Sequence, residues 1–217
     1  MKTDQLFLDK KQRISIIPTM SEKVKIIGLS AFFTALTIFG VYKVWWGGNH
    51  VPKEFLRARI EGAQVAEKIV NLVSLSLINL QEVAKLEEKL KHGEAINIIS
   101  QELARNDEAR KEAVKLSNYL DQMAKTMEDV RPPEARNYAT EAVGQEIQLI
   151  NRLISYNDNL RNLFELLKAK FEGKIKDGDA RLQQLLLLIN QETNAINNLN
   201  QRYNAAMAKF DELTIRK

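Results

Sequence analysis

The residues able to do chemistry are few. The chain of 217 residues has two histidines and no cysteine. His50 follows Gly47-Gly48-Asn49, and His92 precedes Gly93. Without cysteine there is no thiolate nucleophile and no sulfur-ligated metal. A di-iron site in a helical bundle needs Glu-x-x-His pairs, and neither histidine has a glutamate three positions before it. No glycine-rich phosphate loop occurs, and no spacing nominates a Ser-His-Asp set. "DGDA" at 177–180 places two carboxylates around a glycine. A calcium loop needs more oxygen ligands and a distal glutamate, so this reads as a turn. Glu87-Glu88 and Asp107-Glu108 read as solvated helix faces near Lys91, Arg110 and Lys111. The expectation is a protein that is not an enzyme, with no cofactor, no metal and no evident small-molecule substrate.

One stretch does make a demand on its surroundings: "VKIIGLSAFFTALTIFGVYKVWWGG", Val24 to Gly48. Residues 26–42 carry no formal charge. Lys43 can extend its ammonium toward headgroups, which lengthens the usable span to Trp46, about 21 residues or roughly 31 Å of helix. That matches a hydrocarbon core of about 30 Å. Tyr42, Lys43, Trp45 and Trp46 cluster at one end, where amphipathic rings favour the water–lipid boundary. Gly47-Gly48 and Pro52 then stop the helix. A cleavable signal peptide fits poorly: the leader contains Asp4, Asp9 and Glu22, and Trp45-Trp46 stands where small residues should mark a cut. The reading is an uncleaved single-pass anchor at 24–46, with a polar leader at 1–23 and a linker at 47–52.

Lys10, Lys11, Arg13, Lys23 and Lys25 precede the anchor; Lys53, Arg57 and Arg59 follow it. The excess on the leader side predicts a cytoplasmic N-terminus in the inner membrane and a periplasmic body. The formal net charge of +4 is also local. Residues 1–50 hold seven Lys/Arg and three Asp/Glu, and 51–217 hold 25 of each. A neutral body lacks the basic stripe of a nucleic-acid binder.

From 53 to 217 the residues are mostly helix formers. Breaks at His92-Gly93, at Pro132-Pro133 and at Gly178-Asp179 cut the body into helices near 53–92, 94–130, 133–176 and 179–215. Near-equal lengths and short loops predict an all-α fold, a long antiparallel four-helix bundle with coiled-coil packing; the competing reading is an open array whose long hairpins pair with different subunits. The last helix carries an unbroken 3-4 spacing from Leu182 to Leu213, with Glu192 as its polar member. The second carries Leu116, Leu120, Met123, Met127 and Val130. The third carries Ile147, Ile150 and Ile154, then a three-residue slip past Asn157 to Leu160, Phe164, Leu167 and Phe171. Leu187 and Leu188 in "LLLLI" fall off the seam and are candidate partner contacts, as are Ile16 and Ile17 in the leader.

These features predict a membrane-anchored structural or scaffolding subunit of a multi-protein envelope assembly, such as a secretion-type machine, whose partners are the bilayer and other protein subunits. In architecture the chain is similar to extracytoplasmic sensor domains of bacterial receptors, which carry membrane-attached four-helix bundles. The likeness implies an alternative, a ligand-sensing bundle with a pocket near Tyr156, Asn157 or Tyr203. A cytoplasm-facing adaptor is the third reading.

Overall fold

The computed structural model describes residues 51–175 and 178–214. The anchor at 24–46, with Tyr42, Lys43, Trp45 and Trp46, and the leader residues Ile16 and Ile17 lie outside the described residues. Four long helices make up the described chain: α1 Lys53–Glu88, α2 His92–Lys125, α3 Pro133–Phe171 and α4 Asp179–Thr214. A short 3-10 turn, Met127–Asp129, follows α2. Among the described residues there is no strand.

The helix ends show which residues stop the chain. α3 begins as its prolines dictate: Pro132 is extended, Pro133 takes the first turn and Glu134 places a carboxylate at the positive helix end. The terminators differ from the expected glycines. Gly93 lies inside the first turn of α2, and Leu90 takes the left-handed position instead, at φ 56°. The Lys91 N–H donates to the Leu86 carbonyl and the Leu90 N–H to that of Glu87, both at 2.9 Å. This is the double closure that normally recruits glycine. Gly173, at φ +70°, does the same for α3, with Lys174 N–H donating to the Ala169 carbonyl at 2.9 Å. Leu90 has a Cβ in the disfavoured region and is 69% exposed, so little packing compensates the strain. Leu90→Gly is therefore expected to stabilise the protein by about 1 kcal/mol, read as a higher urea midpoint with an unchanged slope.

Each of the first three helices buries an unbroken 3-4 series. In α1 it runs Phe55, Arg59, Gly62, Ala66, Ile69, Val73, Ser76, Leu80, Val83. In α2 it runs Ala95, Ile99, Glu102, Asn106, Ala109, Ala113, Leu116, Leu120, Met123, and continues through Met127 and Val130. In α3 it passes straight through Asn157 to Leu153, Ile150, Glu146 and Val143. The expected slip does not occur. Ile147, read as a seam residue, is 49% exposed, while Glu146 is 5% exposed. The helix keeps its heptad phase and encloses two polar side chains rather than breaking phase to enclose an isoleucine. In α4, Leu182, Leu185, Ile189, Ile196, Leu199, Ala206 and Phe210 are buried; at its end Thr214 replaces the expected Leu213, which is 43% exposed.

Sequential helices pack side by side: α1 on α2, α2 on α3 and α3 on α4. Along each pair, residue numbers rise on one helix as they fall on the other. Lys68 meets Glu112 and Asn79 meets Glu102; Arg110 meets Asp158 and Lys168 meets Ser100; Arg152 meets Glu192 and Lys170 meets Asp179. Gly62 faces Tyr119 and Leu116 of α2, where an added Cβ would stand in van der Waals contact with Tyr119 at 3.4 Å. The start of α1 also touches the end of α4. The Phe55 and Phe210 rings lie 5.4 Å apart, and Arg59 makes a two-pronged bond to Asp211 at 2.6 and 2.9 Å.

One described helix is long and apolar enough to cross a membrane. It is α1, whose most apolar 18-residue window has a mean hydropathy of 1.3, with half of that window buried inside the protein. Its inner face is the seam from Phe55 to Val83; its outer face leaves Leu75 and Ile78 exposed.

Candidate functional site

Polar side chains interrupt every seam, and their bonds show what they do. Between α2 and α3, the Asn106 Nδ2 donates to the Asn157 backbone oxygen at 2.9 Å and to its Oδ1 at 3.3 Å. Both residues are at least 96% buried, at 4% and 1% exposure. Such a pair sets the sliding register of two helices at some expense in stability. Between α1 and α2, the Asn79 Nδ2 donates to Glu102 Oε1 at 2.5 Å, and Arg105 pairs with the same fully buried carboxylate. Lys68 bridges Glu108 and Glu112 at 2.8 and 2.9 Å, and Lys115 adds to Glu112 at 2.8 Å. The bonds from Lys115 and Lys68 hold the Glu112 carboxyl below its usual range.

A second cluster lies where α1, α3 and α4 meet. Arg59 is 8% exposed and spends its guanidinium on Asp211, with Phe210 5.7 Å beneath it. Tyr203 stands beside Arg59, and burial first, then the Glu146 charge, raises its phenol above the ordinary range. Glu146 itself is the outlier. Its Oε2 is buried with no hydrogen-bond partner among the described residues, and burial pushes its carboxyl from 4.5 up to about 7. Near neutrality it is half protonated.

No group of three or more His, Asp or Glu that could hold a metal occurs among the described residues. His92 is stacked on Phe171, with ring centroids 5.2 Å apart. Tyr156 and Asn157, the residues expected beside a ligand, are each 1% exposed in the core. An open depression among the described residues lies elsewhere, on the outer face of α1 between Leu56, Arg57, Ile60 and Gln64.

The outer faces carry apolar side chains. Leu187 is 57% exposed, whereas Leu188 is half-buried and Leu186 packs on the core. Leu75 and Ile78 on α1, at 47% and 60%, form a second outward pair. The sequence signal for that pair was "IVNLVSLSLINL" at 69–80, which is apolar on more than one helical face. Compared with protein-family models, curated proteins and solved structures, the chain matches none of them.

Proposed function

We propose that the chain is a membrane-anchored structural or scaffolding subunit that works through helix–helix contacts in a larger envelope assembly of the secretion-machine kind. The stretch 24–46 is its single-pass anchor, its leader faces the cytoplasm and its body lies outside. The body is an antiparallel four-helix bundle with coiled-coil packing, a reading supported by the 3-4 seams and by the opposed numbering along each pair of sequential helices.

The observation that carries the proposal is the outward apolar surface. Leu75, Ile78 and Leu187 stand well exposed on a body whose seams are already filled. Uncovered apolar side chains on a helical face favour a partner helix. The test is purification at native expression level in mild detergent. The chain is expected in a complex, and Leu187→Asp with Leu188→Asp, or Ile16→Asp with Ile17→Asp, is expected to release it. Recovery of the unsubstituted protein alone and monomeric would overturn the reading. A compartment reporter fused after Lys217 checks the orientation; activity confined to the cytoplasm would leave the adaptor alternative.

The ligand-sensing alternative draws on one observation. The Tyr156 hydroxyl and the Asn157 Nδ2 are buried without a partner among the described residues. A small molecule that raises the melting temperature of the wild-type chain, and not of Tyr156→Phe, would favour it.

A further inference from the structure

We infer that the outer face of α1 pairs with the same face of a second copy of this chain, the two helices running in opposite directions about Leu75. The inference rests on the reading that the body acts through helix–helix contacts, and names the partner. Its basis is a charge pattern. Glu61, Lys68, Leu75, Glu82 and Lys89 recur at intervals of seven residues. Seven residues are close to two helical turns, so the first four share one stripe of α1, which Lys89 extends from the C-cap position. In order their charges are negative, positive, none, negative, positive. Reversing a second helix about Leu75 sets Lys68 against Glu82 and Glu61 against Lys89, each pair twice by symmetry. Aligning the helices in the same direction and in register sets every charge against its own kind. Among two-fold symmetric pairings the stripe is therefore complementary to itself in one orientation only.

The neighbouring residues agree. Reversal brings Ile78, 60% exposed, over the half-buried Leu72, and Leu75, 47% exposed, onto Leu75. The three form an apolar centre flanked by ion pairs, the arrangement of a helix interface. Glu61, Lys68 and Glu82 have side chains 34%, 49% and 44% exposed. Their partners Arg57, Glu108 and Lys85 are also solvent-facing, and Glu112, the buried second partner of Lys68, keeps its bond to Lys115 when Lys68 turns outward, so exchange into an intermolecular pair costs little. The pairing also explains why α1 is apolar beyond its buried half. With 36 residues, α1 is roughly 54 Å long. With Leu75 as the crossing point, the Lys53 ends of a reversed pair lie roughly 66 Å apart, and both reach one bilayer when α1 runs along the membrane.

The chain has no cysteine, so single substitutions report cleanly. In membranes containing the full-length chain, mild oxidation of Leu75→Cys is expected to give a disulfide-linked dimer of this chain. A mixture of Lys68→Cys and Glu82→Cys chains is expected to cross-link, and neither alone. Lys68→Glu is expected to weaken the dimer on the order of tenfold, and Lys68→Glu with Glu82→Lys to restore it. Self-cross-linking of Lys68→Cys alone, or capture of a different polypeptide by Leu75→Cys, would overturn the inference. A large native complex without these cross-links also overturns it, while leaving the helix-contact reading intact. A monomer in mild detergent removes both.

Discussion

Glu146→Gln is expected to raise the stability of the protein by about 3 kcal/mol at pH 8, and by less than ~1 kcal/mol at pH 5. The sign follows from proton counting. The Glu146 carboxyl sits near 4.5 when exposed and near 7 in the fold, so between these values the folded chain holds a proton that the unfolded chain has released. Stability then falls as pH rises through that window and levels off above about pH 7. The cause is local. The carboxylate is in the core with a buried, unpartnered oxygen, and burial alone accounts for its shift. Glutamine keeps the shape and removes the charge. Thermal melts of the full-length chain in detergent check this: at pH 8 the substituted protein should melt roughly 6–12 °C higher. Equal melting points at the two pH values in wild type would show that solvent reaches the carboxylate.

Asp211→Ala is expected to cost about 3–5 kcal/mol, because it leaves the Arg59 guanidinium buried and unpaired. Arg59 and Asp211 are the polar clasp between the first and last helices, with side chains 8% and 16% exposed. Arg59 also lies over Phe210, so its loss of order would reach the Phe55–Phe210 contact. Replacing both partners, Arg59→Met with Asp211→Leu, should recover most of the loss, since no charge then remains without a mate. Urea unfolding followed by helical ellipticity gives both values. A single substitution that costs under ~1 kcal/mol would mean that the pair is hydrated.

Elements that depend on apolar periodicity were legible in the sequence. The all-helical character and the α2 series from Leu116 to Val130 follow from spacing alone. What spacing could not show is how a helix resolves a conflict between phase and polarity. A seam that reaches Asn157 can shift by three residues or enclose the amide, and sequence pattern favours the shift. The fold encloses it because Asn106 on α2 supplies a donor, and a facing helix is invisible to a one-helix pattern. The same choice buries Glu146 and exposes Ile147. The earlier half of the α2 series escaped notice for a related reason: Ala95, Glu102, Asn106 and Ala109 do not read as core, although all are buried. Glycine misled in a simpler way. Gly93 and Gly178 looked like terminators, while Leu90 and Gly173 take the left-handed positions. On the surface, Leu187 is exposed as its off-seam position implies, and Leu188 is only half so, because it lies one position from Ile189 of the core.

The meeting of Phe55 with Phe210 has a consequence for gene design. It sets the first and last turns of the helical body next to each other. A short linker from Thr214 to Lys53, with the backbone opened at the exposed Leu90, would encode the same four helices in a circularly permuted order. The entry point of the chain could then be moved from one extremity of the helical body to the other without disturbing a single seam.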